Sequence, residues 1–237
     1  MVAFYSASRL PIDTLFLDAG GVLVQPGWDR VSAELAADGI LIDADLLRSA
    51  DPLARRDIDE STIIGATTDQ TRGWEYFNRV LAHAGVPLSD ATERALARLQ
   101  RYHNAENLWE EVFPGVRESL ESFRERGLRV VVVSNSNGRL SHLFQRLDLA
   151  RWFDVMLDSH DWGVEKPDPR LFRHALEQAR ATADRTIHVG DLYHVDIVGA
   201  RAAGLRDAVL LDWADLYRDV DCFRIRRLGD LLTGGHV

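Results

Sequence analysis

The chain has 237 residues and a net charge of −9, with 37 acidic and 28 basic side chains. This balance argues against a nucleic-acid partner, because neutralising a phosphate backbone requires a basic surface. The single cysteine, Cys222, excludes an intramolecular disulfide and a cysteine-based metal site. No apolar run is long enough to span a membrane, and residues 1–11 lack the apolar core of a signal peptide, so a soluble protein of the cytoplasm is expected.

Short apolar runs bounded by turn residues predict buried β-strands, and helical patterns alternate with the later ones. This alternation predicts an α/β fold, with a Rossmann-like, doubly wound and mainly parallel sheet. In chain order, the predicted core elements are strand Ile12–Leu17, helix Val116–Arg126, strand Arg129–Val133, helix Arg139–Leu147, strand Val155–Leu157, helix Pro169–Ala179, strand Thr186–Val189, helix Val195–Ala203, strand Ala208–Leu211 and a weaker strand Cys222–Ile225.

Four amphipathic helical patterns interrupt the alternation directly after the first strand. They predict a helical domain at residues 25–108, inserted into an α/β core domain formed by residues 1–24 and 109–237. The predicted helices of the insertion are Trp28–Ala37, Ala44–Arg56, Thr71–Ala84 and Ser89–Asn104.

Asp18 follows the first predicted strand, in the segment FLDAGGVLV. Ligands of open parallel sheets bind beyond the carboxyl ends of the strands, and glycines such as Gly20 and Gly21 let the backbone approach a ligand closely. A carboxylate in this position can attack phosphorus. The alternative interpretation is an aspartate that stabilises a turn.

Ser134 and Asn135 follow the second predicted core strand, in RVVVVSNSNG. A hydroxyl group and successive loop N–H groups form a concavity that binds anions. The alternative is a helix N-cap, for which both residue types are favoured. The two interpretations are compatible.

Lys166 is the only lysine among the 28 basic residues and lies in GVEKPDPRLF. An ammonium group is a compact charge that an arginine cannot replace in a tight site. Pro167 and Pro169 stiffen this loop, and Asp168 is suited to cap the helix that follows. A fixed ammonium near Asp18 would neutralise phosphate charge and hold the carboxylate in place. The alternative is an exposed lysine in a turn.

Asp191 and Asp196 lie in HVGDLYHVDIVGA, at and after the end of a predicted strand. A strand-end carboxylate paired with Asp18 provides hard oxygen ligands suited to Mg²⁺. Asp196 is predicted either to cap a helix or to act as an outer partner that orients Lys166 or a metal-bound water.

These four segments, FLDAGG, VVVSN, EKPDP and HVGDLYHVD, resemble the motifs of the haloacid dehalogenase superfamily in content and order. The resemblance extends from Ile12 to about Leu232, and the helical insertion looks like the C1-type cap of that family. It implies a hydrolase. The implied roles are Asp18 as nucleophile with Lys166 as its catalytic partner, phosphate binding by Ser134, Asn135, Lys166, Gly20 and Gly21, and Mg²⁺ held by Asp18, Asp191 and the backbone carbonyl of Gly20.

Gly20 is a departure from the family pattern, because family phosphatases usually carry a second aspartate there as general acid and base. Losing such a group typically costs ~10²–10⁴-fold in rate. Three interpretations follow: a Mg²⁺-dependent phosphatase of a small phosphorylated metabolite, a metal-free 2-haloacid dehalogenase, or a weakly active or inactive protein that binds a phosphorylated ligand. Dehalogenases of the family usually have an aromatic residue at this position and lack the Gly190–Asp191 pair, so the first interpretation is favoured.

Substrate specificity is expected to depend on the helical insertion, whereas substrate identity and oligomeric state are not predicted. Side chains of the insertion that are candidates to face the substrate, each with packing or solvation as its alternative, are Trp28, Arg55, Arg56, Trp74 and Tyr76.

Overall fold

The structure, a computed structural model, describes residues 11–66 and 69–233. The chain divides into two compact units. Unit 2 is Pro26–Glu111, and unit 1 comprises the described residues before and after it. These bounds lie close to the predicted limits of the helical insertion, residues 25–108. The assignment of the two units as core and cap domains stays a prediction.

Within the described residues, unit 1 contains one six-stranded sheet in the order β5-β4-β1-β6-β7-β8, whose strand pairs are parallel. This confirms the predicted α/β fold. A separate two-stranded sheet pairs β2 with β3. The strands are β1 Thr14–Leu17, β2 Val24–Gln25, β3 Glu111–Val112, β4 Arg129–Ser134, β5 Val155–Asp158, β6 Thr186–Gly190, β7 Asp207–Leu211 and β8 Phe223–Ile225.

The helices of unit 2 are α1 Trp28–Ala36, α2 Ala44–Ile58, α3 Ser61–Ala66, α4 Asp69–His83 and α5 Asp90–Glu106. Those of unit 1 are α6 Val116–Glu125, α7 Leu140–Arg146, α8 Ser159–Trp162, α9 Pro169–Ala179, α10 Val198–Ala202 and α11 Asp230–Thr233. None of these helices is both long and apolar enough to cross a membrane.

The predicted helix Val195–Ala203 is helical in the structure, but its first three residues, Val195–Ile197, are π-helical. A π-helical turn spans Tyr193–Ile197, and the α-helix begins only at Val198. Because a π-turn adds a residue to each turn, the 3.6-residue pattern does not reveal it.

The central position of β1 determines where a ligand site can form. From β1 the chain first builds β4 and β5 on one side and then β6, β7 and β8 on the other. Such a reversal of direction opens a crevice at the carboxyl ends of the central strands. Both β1 and the apolar run of β4 are buried, as expected of parallel strands covered on both faces. Asp18, which follows β1, therefore lies at the switch point.

Unit 2 has an apolar core of its own, formed by residues of α1, α2, α4 and α5. Asp43 accepts the N–H of Asp45 at the start of α2, and Ser89 forms a capping box with Thr92 at the start of α5. Such caps satisfy backbone N–H groups that have no partner inside the helix. The described part of unit 2 is thus a helical domain with a defined interior.

His103, in the last turn of α5, provides a test of this interior. Its Nδ1 accepts the N–H of Leu108 at 3.2 Å, and its ring contacts the edge of Trp109. Burial lowers the pKa of His103 from 6.5 to about 4. Between these values the unfolded chain takes up a proton that the folded chain excludes, so the free energy of unfolding decreases as the pH falls.

We expect His103 to account for about 2 kcal/mol of the stability lost between pH 6.5 and 4. Urea unfolding of the wild type and of His103→Asn, whose side-chain oxygen can still accept the Leu108 N–H, measures this contribution. The variant should lose less stability than the wild type over this range. Parallel pH profiles would contradict the assignment.

Candidate functional site

Lys166 is the centre of a buried ionic network. Its side chain is 1% exposed, and its Nζ lies 2.7 Å from Oδ1 of Asp18 and 2.7 Å from Oδ1 of Asp196. The sole lysine of the chain therefore joins a carboxylate at the end of β1 to one in the π-turn after β6. This arrangement excludes the alternative of an exposed turn lysine.

The backbone of Lys166 is clamped by Asn135, which follows β4. Oδ1 of Asn135 accepts the Lys166 N–H at 2.7 Å, and its Nδ2 donates to the Lys166 carbonyl at 3.0 Å. Asp168 caps α9, with Pro169 in the first turn, as predicted. The side chain of Asn135 thus positions the lysine loop.

Asp196 is held by three donors among the described residues. Its Oδ1 accepts from Lys166 Nζ and from His188 Nε2 at 2.9 Å, and its Oδ2 accepts the Leu192 N–H at 3.1 Å. Asp196 lies inside the helical turn and does not cap it, so the N-cap alternative is wrong. The contacts agree with its alternative assignment as a partner of Lys166.

Gly190 makes room for this carboxylate. A Cβ added there would lie 2.1 Å from the carboxyl carbon of Asp196, far inside contact distance. The sequence prediction used Gly190 only as part of a motif and gave no role to His188. The one sequence signal for such a role is the presence of a histidine within a short, mainly apolar strand.

Burial and ion pairing act in opposite directions on these groups. Burial raises the pKa of Asp18, although the Lys166 ammonium opposes the shift. Burial alone would lower the pKa of Lys166, but Asp18 and Asp196 together raise it above its usual value. Burial would raise the pKa of Asp196, yet Lys166 and the hydrogen bond from His188 hold it well below its usual range. Lys166 and Asp196 are therefore a stable ion pair.

The same crevice has the ligand atoms of a metal site. Carboxylate oxygens of Asp18, Asp191 and Asp196 all lie within 4.8 Å of one another. When ionised, these three carboxylates carry one negative charge each against the single positive charge of Lys166, and a divalent cation would balance the remaining two charges. Since Asp196 already has three donors, Asp18 and Asp191 are the better candidate ligands. Two carboxylates with further oxygens from water or phosphate fit Mg²⁺.

Ser134, Gly20 and Gly21 lie close in sequence to residues of this site. Ser134 is the last residue of β4, is buried, and donates its hydroxyl to the Asn135 carbonyl at 3.2 Å. It does not cap α7, which begins at Leu140 after Arg139. Gly21 has a φ of 78°, which favours glycine, whereas Gly20 has no positive φ.

The candidates in the helical insertion lie mostly in the interior of unit 2. Trp28 and Tyr76 are buried in its core. Arg55 is buried and pairs with Asp51 at 2.7 Å, and the same carboxylate oxygen accepts the Tyr76 hydroxyl at 2.6 Å. The contacts of these three side chains agree with the alternative that they serve packing. The other two candidates are Trp74, which is half-buried against the core, and Arg56, which is exposed.

The family model of haloacid dehalogenase-like hydrolases matches residues 12–204. The chain belongs to this family. The match includes both ends of the site, from Asp18 to Asp196, and confirms the resemblance seen in the sequence. This haloacid dehalogenase-like protein is therefore a hydrolase.

Curated relatives and solved structures agree with this assignment. The hydrolase is 29% identical over 206 residues to haloacid dehalogenase-like hydrolase domain-containing protein 3 of Mus musculus, a match covering 84% of this chain and 82% of the relative. It is 32% identical over 161 residues to the ribulose-1,5-bisphosphate 5-phosphatase of Halopiger xanaduensis, covering 67% and 64% respectively. For several other relatives, among them the bovine protein named like the mouse one (48%), the match spans about half of their length.

The fold is shared with the magnesium-bound HAD-hydrolase YfnB of Bacillus subtilis. The two structures superpose with a TM-score of 0.67 at 19% sequence identity, over 94% of this chain and 97% of YfnB. At this identity the likeness is evidence for the fold alone.

Proposed function

We propose that this hydrolase is a Mg²⁺-dependent phosphatase of a small phosphorylated metabolite, with Asp18 as nucleophile. The observation that carries the proposal is the Asp191 carboxylate, which lies within 4.8 Å of the Asp18 and Asp196 carboxylates that pair with the Lys166 ammonium. These carboxylates can act as ligands of a divalent cation, whereas the displacement of a halide needs no cation. The phosphatase name of the Halopiger relative supports the same reaction class.

In the proposed reaction, a carboxylate oxygen of Asp18 attacks phosphorus while the bond to the leaving oxygen breaks, giving an aspartyl-phosphate. Water then attacks this phosphorus, which releases inorganic phosphate and restores the carboxylate. Bound Mg²⁺ would be held by Asp18, Asp191 and the Gly20 carbonyl, and would neutralise phosphate charge.

The remaining residues hold and neutralise the phosphate. The Lys166 ammonium, fixed by Asp196, supplies a positive charge that needs no reorganisation during the reaction. The Ser134 hydroxyl and the backbone N–H group of Asn135 are the proposed hydrogen-bond donors. The Gly21 N–H, expected from the sequence to be a further donor, instead donates to the Val24 carbonyl at 2.8 Å. We further propose that Pro26–Glu111 is the cap domain and contributes substrate specificity.

Gly20 leads to a prediction about leaving groups. The family's proton donor is missing there, and protonation matters most when the leaving alkoxide is basic. Wild-type activity should therefore be much higher on aryl or acyl phosphates than on alkyl phosphates. Because Gly20 has no positive φ, a side chain is compatible with its backbone conformation. Gly20→Asp should raise kcat/KM for alkyl phosphates ~10-fold or more.

The comparison is made with 4-nitrophenyl phosphate and glycerol phosphate as substrates of the wild type and of the variant. Gly20→Ala is the control, since it adds a side chain without a carboxyl group. A Gly20→Asp variant that folds and binds Mg²⁺, but gains nothing over Gly20→Ala on glycerol phosphate, would argue against the missing acid.

The reaction class is tested by a screen of phosphorylated metabolites with and without Mg²⁺, alongside 2-chloropropionate as a dehalogenase substrate. Release of phosphate that requires Mg²⁺ supports the proposal. The second candidate, a dehalogenase, is favoured by one observation, the absence of an acid at Gly20. Release of chloride that is independent of Mg²⁺, with no phosphate release, would replace the phosphatase proposal by this one.

A further inference from the structure

His188 is a polar side chain in an apolar place. It lies in the middle of β6, whose five residues TIHVG are all buried, and its own side chain is fully buried. Its Nε2 lies 2.9 Å from Oδ1 of Asp196, the oxygen that also accepts from Lys166 Nζ. Burying an imidazole costs free energy unless its polar atoms are paired. A leucine would fill this place without that cost.

The contacts of the His188 ring show which of its two nitrogens carries the proton. Because the carboxylate oxygen is an acceptor, Nε2 carries the proton. Nδ1 has no hydrogen-bond partner among the residues that the structure describes. The ring meets Phe172 edge to face, with centroids 5.0 Å apart, which is an apolar packing contact. The hydrogen bond to Asp196 is therefore the polar contact that the ring makes within the described structure.

We propose that His188 is a positioning residue of the phosphoryl site. It holds the Asp196 carboxylate in the orientation from which Asp196 holds the Lys166 ammonium against Asp18. The inference rests on the proposed function for its effect on rate, but not for its effect on Lys166. Outer partners of this kind typically change activity by ~10- to 100-fold.

Two substitutions that resemble each other in shape distinguish the hydrogen bond donated by His188 from the space that its ring fills. His188→Gln keeps an N–H at a similar distance along the side chain, whereas His188→Met has nearly the same shape as glutamine and no donor. Methionine is flexible and tolerated in cores, which favours a folded variant. Phe172→Leu is the control for lost packing, since it removes the ring contact and leaves the donor in place.

The first readout is labelling of Lys166 by an amine-selective reagent, measured on the peptide that contains residue 166. Lys166 is the only lysine, so its signal is separate from that of the N-terminal amine. In the wild type, Asp18, Asp196 and burial protect it. We expect labelling in His188→Met to be at least about threefold faster than in the wild type, and labelling in His188→Gln and Phe172→Leu to remain near the wild-type rate.

The second readout is the hydrolysis of 4-nitrophenyl phosphate with Mg²⁺. His188→Met should lower kcat ~10-fold with a smaller change in KM, and His188→Gln should restore most of the loss. Equal labelling and equal kcat in the Gln and Met variants would overturn the inference, as would a Phe172→Leu effect as large as that of His188→Met. If the wild type hydrolyses no phosphate ester, the proposed function fails, while the labelling comparison still decides the role of His188.

Discussion

Asp18→Asn is expected to lower kcat by at least about 1,000-fold on every phosphate ester that the wild type hydrolyses, because an amide cannot replace the attacking carboxylate. The substitution keeps the size of the side chain, and the amide oxygen can still accept a hydrogen bond from Lys166 Nζ. The fold and its free energy of unfolding should therefore change little. The loss belongs to the chemical step, so KM should change much less than kcat.

The covalent intermediate provides a direct measurement. Quenching the wild type during turnover and reducing it with borohydride should convert Asp18 to homoserine in the peptide that contains it. The matched control is Asp191→Asn, which should raise the Mg²⁺ concentration needed for half-maximal activity while Asp18 is still trapped at saturating Mg²⁺. Wild-type turnover without homoserine at position 18, or an Asp18→Asn variant of normal activity, would refute nucleophilic catalysis by Asp18.

The parallel sheet could be predicted because its strands are covered on both faces. Such strands appear in the sequence as uninterrupted apolar runs, as in Val130 to Val133. Strands β1, β4 and β6 end at or directly before the polar residues Asp18, Ser134 and Asp191. Since the carboxyl ends of parallel strands lie at one edge, the sequence alone brought Asp18, Lys166 and Asp191 together. The residues were predicted correctly as neighbours, whereas their catalytic roles stay proposals.

The pairing of Lys166 with Asp18 and Asp196 was expected from the sequence, and the structure shows both contacts. The contacts made by Asn135 and His188 could not be predicted, because they depend on the arrangement of distant segments. Nothing in the segment VVVSN indicates that the Asn135 amide holds the backbone of Lys166, which lies 31 residues further on. The pairing of His188 with Asp196 likewise requires the π-turn after β6, whose period differs from that of an α-helix. Short elements such as β2 and β3 contain too few residues to show any period.

Lys166→Arg is expected to lower kcat/KM by about 100-fold, although it preserves the charge. Lys166 Nζ fits between two carboxylate oxygens at 2.7 Å each, in a site where the side chain is 1% exposed. A guanidinium is a planar group with three nitrogens, so it would push Asp18 and Asp196 apart. Asp18 would then no longer be aligned for attack.

Two further variants help to separate the effect of the shape of the Lys166 side chain from the effect of its charge. Lys166→Met removes the ammonium, leaves Asp18 and Asp196 without their cation, and should lower the free energy of unfolding by about 3 kcal/mol. Arg170→Lys is the control for the exchange itself, because Arg170 pairs with Asp168 in the same loop but is largely exposed. It should leave both activity and stability nearly unchanged. Since Lys166→Arg retains the cation, it should lose less stability than Lys166→Met although its kcat/KM falls. If Lys166→Arg kept wild-type kcat/KM, a positive charge of any shape would suffice, and the argument from a tight ammonium site would be wrong.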